Sequence, residues 1–333
     1  MKTKILFKIC FLALLSVLSS KSYGKIVWRS LPRLVHEAPV ISKGKISIQN
    51  DTIILNVEKT LKGQEYTQIT ILYIKYPEFE AALPKFKDGE ETLLFLDPEP
   101  YEPVFNIVEK LNKGEMYLFG LGDQAKWPRV YPEKPKGSEY YHHYPKLQDT
   151  ASLEAIQGVV EKLLEIEKIQ DLDKKTILCA EYIKSTNRLL QSTALEYAVH
   201  GYFWAPPIGE SRGAIPKEVS VQRTSIMKKL ASEVLSLSLV DSNEPSISEE
   251  AIRFMIYVEP EKAMPLLISK ITDEDKGVRT ATHTAINTIA NNLKIKESFV
   301  KYEHDDSMEN LKAIQQKWKN WFNENKDKLS KKN

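Results

Sequence analysis

The sequence predicts an α+β chain in two parts, a small antiparallel β barrel followed by α-helical hairpins. Three observations carry this. From Val40 to Leu121, β-branched alternating runs give way to turn residues about every eight to twelve positions, the pattern of short antiparallel strands. Beyond Asp149 the apolar period becomes helical. Between them, "WPRVYPEKPKGSEYYHHYPKLQDT" holds Pro128, Pro132, Pro135 and Pro145, too many for regular structure, and marks a boundary.

Residues 1–24 come first. Lys2 and Lys4 precede an apolar run from Ile9 to Leu18, with small residues Ser22 and Gly24 after it, which is the pattern of a cleaved signal peptide. The run is too short for a bilayer anchor, which takes about 20 apolar residues. The expectation is an extracytoplasmic protein, in the periplasm or secreted, with no membrane insertion. Cys10 lies inside that run, leaving Cys179 as the one remaining cysteine, so no internal disulfide is expected and stability must come from burial.

The barrel is expected over residues 26–130. Its strands are "VISKGKISIQ", "TIILNVEKTL", "TQITILYI", "ETLLFLD", "PVFNIVEK" and "EMYLFGLG". "QND" is a tight hairpin between the first two, while Gly63 and Gly114 supply the positive φ of further turns. In the second strand Ile53, Leu55 and Val57 share one face, so that face is core. "PEFEAALPKF" is a short helix bounded by Pro77 and Pro84.

Residues 131–149 form the linker, and 150–330 the helical part. Ile156, Val159, Val160, Leu163 and Leu164 make one stripe behind a cap at Asp149 or Ser152. Further helices are predicted near 174–184, 187–203, 217–239, 249–258, 261–271, 277–293 and 307–328. Short pairs separated by short turns point to stacked hairpins. In the last segment Met308, Leu311, Ile314, Trp318, Trp321 and Phe322 form a stripe with a polar back, as suits a terminal cap.

The stretch "DEDKGVR", 273–279, gathers acidic side chains before an arginine. Carboxylates ahead of a helix satisfy its orphan N–H groups, and an arginine one turn later can reach back. A structural turn formed by Asp273, Asp275 and Arg279 is therefore expected rather than a catalytic or metal site. With Val278, Ala281 and Ala285, this segment resembles a HEAT repeat. The first half, through "APVISKGKISIQNDTIILNVEKTLKG", "DGEETLLFLD" and "YLFGLG", resembles the OB-type barrel of the tissue inhibitors of metalloproteinases and netrin-like modules. Those inhibitors use an N-terminal cysteine; the expected mature start "KIVWRS" has none, so the inhibitory residue does not carry over.

Composition narrows the function. The chain has 47 basic and 45 acidic residues, mixed in sign, and Lys2, Lys4, Lys8 and Lys21 lie in the leader. A near-neutral remainder argues against nucleic acid or an anionic membrane as partner. "GESRG" places Ser211 as in a nucleophile elbow, but prolines flank it and the required strand–turn–helix context is missing. His142 and His143 are neighbours without a third ligand at a recognised spacing, and His200 and His283 fall on separate predicted helices with His304 just ahead of a third, so neither metal nor cofactor is expected. Cys179, in "TILCAEYI", reads as a core residue. The loop 205–216 is either functional or a plain insertion. Trp127, Tyr140, Tyr141, His142, His143 and Tyr144 combine contact area with polar handles and are the expected surface for a protein partner. The resulting expectation is a non-catalytic exported binding or scaffold protein. The alternatives are an inhibitor-like module acting on an extracytoplasmic enzyme through the barrel edge, and a serine hydrolase using Ser211.

Overall fold

Alternation in the first strands is what closes the barrel. The computed structural model describes residues 30–72, 85–98, 112–119, 126–127, 147–200, 217–293 and 307–329. β1 (Val40–Gln49) and β2 (Thr52–Lys62) form a hairpin whose two-residue turn, Asn50 and Asp51, has φ of 47° and 64°. Positive φ at both positions matches the right-handed twist of the strands. β3 (Gln68–Leu72) pairs with β2, and β4 (Glu91–Asp97) returns to pair with β1. β5 (Glu115–Leu118) lies parallel to β3 and antiparallel to β4, so the order β1-β2-β3-β5-β4 closes on β1. Closure leaves no open edge between these five strands. β6 (Lys126–Trp127) pairs with Leu93 and Leu94, extending the β5 side of β4.

Local choices support this path. Gly63 and Gly114 have φ of 85° and 88°, as the turn reading expects. At Gly44 a Cβ would lie 2.0 Å from the Asn56 carbonyl oxygen, so only glycine lets β1 and β2 approach where their register shifts. Leu55 is fully buried, with Ile53 and Val57 packed beside it. β4 is buried throughout Thr92–Leu96. Its continuous apolar reading has a physical reason, because one face lines the barrel and the strand also contacts the helical half.

An element outside the sequence reading precedes the barrel. α1 (Leu31–Glu37) starts with a proline in its first turn and stops before Pro39. It buries Leu31, Leu34 and Val35 and packs on two helices of the C-terminal half, α3 (Leu153–Lys168) and α5 (Arg188–Val199).

That half begins with the short α2 (Leu147–Thr150) and α3, whose Ser152 hydroxyl accepts from the Ala155 N–H at 3.2 Å. Three hairpins follow: α4 (Leu172–Ile183) with α5, α6 (Lys217–Ser236) with α7 (Pro245–Phe254), and α8 (Pro260–Ser269) with α9 (Lys276–Asn292). The second helices pack in sequence, α5 on α7 and α7 on α9, while α4 touches α6. α7 begins at Pro245, four residues ahead of the expected start, because a proline in the first turn forgoes an N–H that is unpaired there anyway. α10 (Met308–Leu329) covers α8 with Leu311, Trp318 and Trp321, the two indoles meeting edge to face at 5.7 Å. Met308, expected in that stripe, is exposed. Among the described residues no helix is long and apolar enough to cross a membrane.

Candidate functional site

The acidic turn 273–279 serves its own backbone. Asp275 caps α9, its Oδ1 accepting from the Val278 N–H at 2.9 Å, and Asp273 Oδ1 accepts from the Asp275 N–H at 3.0 Å. Arg279 Nη1 donates to the carbonyls of Asp273 and Glu274 at 2.8 and 2.9 Å. The Asp273 and Asp275 carboxylates are thus engaged with the backbone of their own turn.

Trp127 differs from its expected place. It is 1% exposed, stacks edge to face with Phe95 at 5.7 Å, and its carbonyl accepts from Thr92 Oγ1 at 2.7 Å. The aromatic ring belongs to the barrel interior, where it fills volume next to β4, and does not offer contact area to a partner. Tyr140, Tyr141, His142, His143, Tyr144, Ser211, the 205–216 loop and residues 1–24 lie outside the described residues. Cys179 is fully buried, its thiol directed to the Ala194 carbonyl at 3.7 Å, and burial pushes its pKa far up. A thiol kept protonated is a poor nucleophile.

Two polar clusters emerge that the sequence did not announce. The first joins the halves. His36 Nδ1, on α1, donates to Glu167 Oε1 at 2.9 Å, and Tyr197 Oη donates to the same oxygen at 2.5 Å. Lys62 of β2 donates to the carbonyls of Val35 and His36 at 2.8 and 2.9 Å, closing the C-terminal end of α1. Burial would raise the Glu167 pKa, but the hydrogen bonds from His36 and Tyr197 and the Lys62 charge outweigh it and hold the carboxyl below its ordinary range. Burial lowers the pKa of Lys62. Burial and the Glu167 carboxylate together push the Tyr197 phenol upward.

The second lies in the stack. α5 and α7 run alongside in matched register: Ser192 Oγ meets Ser246 Oγ at 3.3 Å, and four residues further Glu196 meets Glu250. His200 follows Glu196 by one more turn, its N–H still donating to the Glu196 carbonyl at 3.1 Å, so the two side chains share a face. One ligand atom from each of Glu196, His200 and Glu250 lies within 4.8 Å of the others. Glu196 and Glu250 are 4% and 2% exposed, whereas His200 is at the surface. Arg253 Nε stands 3.3 Å from Glu250 Oε2, and its Nη2 lies 2.5 Å from Glu249 Oε1. Burial would lower the Arg253 pKa; Glu250, Glu249 and Glu196 overcome that and raise it. The available signal was Glu196 and His200 four apart on one predicted helix. The missing ligand comes from a segment 50 residues away, where only helix register could place it.

Compared with family models, curated proteins and solved structures, the chain finds no match.

Proposed function

We propose that the protein is an extracytoplasmic, non-catalytic binding or scaffold protein that engages another protein through its helical half. The observation that carries this reading is the construction of the seam. α1, from the barrel side of the chain, packs on α3 and α5, and Lys62 and Glu167 lock it from both halves. A surface fixed before encounter loses less conformational freedom on association. Exposed apolar side chains sit on adjacent helices of that surface, Ile177 on α4 at 52% and Val221 on α6 at 63%. Under the same reading, the hairpins are HEAT-type units, with the Asp273–Arg279 turn as their mark, and partner contact by Tyr140, Tyr141, His142, His143 and Tyr144 is retained. Neither nucleic acid nor membrane is a partner. The test is chemical crosslinking of the full chain in the extracytoplasmic fraction, with crosslinks mapped by mass spectrometry. A single partner crosslinked near Ile177 and Val221, and lost in Ile177→Asp and Val221→Asp, supports the reading; crosslinks indifferent to both substitutions overturn the assigned face.

A second reading has its own support. The closed order β1-β2-β3-β5-β4, with parallel β3 and β5, is the connectivity of an OB-type barrel, and the barrel resembles the tissue-inhibitor and netrin-like modules in sequence. An inhibitor-like action at the barrel edge would need residues 25–30. Deleting them should then abolish inhibition of an extracytoplasmic protease while leaving the fold's circular dichroism unchanged.

A further inference from the structure

We propose that Glu196, His200 and Glu250 form a binding site for a divalent transition-metal ion of the zinc class. Convergence comes first. Two helices that are not neighbours in sequence bring one imidazole and two carboxylates to a common point, with donor atoms within 4.8 Å of one another. Ligand atoms around a tetrahedral zinc-sized ion stand about 3.4 Å apart, so side-chain rotation has to draw these three donors, now within 4.8 Å of one another, closer on binding. The donor types select the ion. An imidazole with carboxylates suits zinc and its transition-metal neighbours, whereas calcium and magnesium favour oxygen alone.

The surroundings fit the same assignment. Ligating carboxylates in metal sites are themselves held by hydrogen-bonding groups. Here Glu250 has the Arg253 guanidinium as an ion-pair partner at 3.3 Å, and Arg253 itself is hydrogen-bonded to Glu249. Glu250, Glu249 and Glu196 all act on the Arg253 guanidinium, and a dication would bring charge of the sign that carboxylates favour. Burying two carboxylates with oxygens within 4.8 Å of one another is costly, even on helices that also bury Gln191, Ser192 and Ser246. The matched register of α5 and α7, with Ser192 on Ser246 one turn earlier, nevertheless places them so. His200 gives access from solvent. Three protein ligands leave a coordination position for water or for a donor from another molecule. The assignment departs from the metal-free expectation of the sequence and does not depend on the proposed scaffold role.

The experiment uses the full chain after chelator treatment and dialysis. Titration with Zn2+ by calorimetry, and with Co2+ by visible absorption, should show one ion per chain and the ligand-field bands of a low-symmetry site. His200→Ala, at an exposed position that does not threaten folding, should weaken binding by at least about 100-fold, and Arg253→Met by roughly 10- to 100-fold. Glu196→Gln should match His200→Ala, with circular dichroism confirming the fold. Absence of stoichiometric binding overturns the proposal. So does binding that is indifferent to His200→Ala and Glu196→Gln, or that is lost only in the double variant of His142 and His143.

Discussion

The barrel and the helical stack bury charge in different ways. In the barrel, Lys126 is 2% exposed and fully matched: its Nζ donates to Glu90 at 2.7 and 2.9 Å and to the Lys85 carbonyl at 2.8 Å, and it lies 4.8 Å from the Phe86 ring centre. One cation meets one anion, and the remaining donor goes to backbone. In the stack, three carboxylates gather around Arg253. The barrel pair therefore reads as a structural plug at the end of β6, the stack cluster as a place built to receive positive charge. Burial alone does not separate them; the balance of charge does.

The largest effect is expected in the barrel interior. Trp127→Ala removes an indole packed on Phe95 and should cost about 3–5 kcal/mol in urea denaturation. A loss below about 1 kcal/mol would return Trp127 to the surface role read from sequence. Next comes the charge contrast itself. Lys126→Ala leaves Glu90 partly buried without its cation and should cost about 3 kcal/mol. Glu196→Gln, measured in chelator, keeps the side chain's shape while removing one negative charge, and should change stability by less than about 1 kcal/mol. Equal losses from the two substitutions would erase the distinction drawn above.

The seam offers a pH test. Because the folded Glu167 pKa is depressed, its stabilisation is fully present above the unfolded value of about 4.3 and is lost as pH falls through the lower folded value. Wild type should exceed Glu167→Gln by about 1–2 kcal/mol at pH 7, and the two denaturation curves should converge in acid. A gap that persists at low pH would show that packing, not ionisation, is what Glu167 supplies. The helix cap offers a further small effect: Asp275→Ala should cost about 1 kcal/mol, with binding of Zn2+ unchanged.

Much of the fold was legible because its signals are local. Alternation set β1 and β2, a continuous apolar run set β4, Asn50 and Asp51 set the hairpin, and Ser152 and Asp275 marked helix starts within their own turns. α1 was not legible, since seven residues give less than two full apolar turns and its burial depends on partners more than a hundred residues away. β6 holds two residues, and a period cannot be read from two, so Trp127 was grouped with the tyrosines that follow it. The Glu196–Glu250 cluster escaped for a different reason. Glutamates on helices are ordinarily solvated, and only the alignment of α5 with α7 turns these two inward.

The position of α1 bears on how the chain can be divided. A fragment cut at the proline-rich linker would carry away Leu31, Leu34 and Val35 with the barrel and leave their sockets on α3 and α5 open to water. A helical piece beginning near residue 147 is thus an incomplete object, with a ready-made groove for an amphipathic peptide. Supplying Ser30–Ala38 as a separate peptide should heal it, whereas the two halves of the intact chain share that helix and stand or fall together.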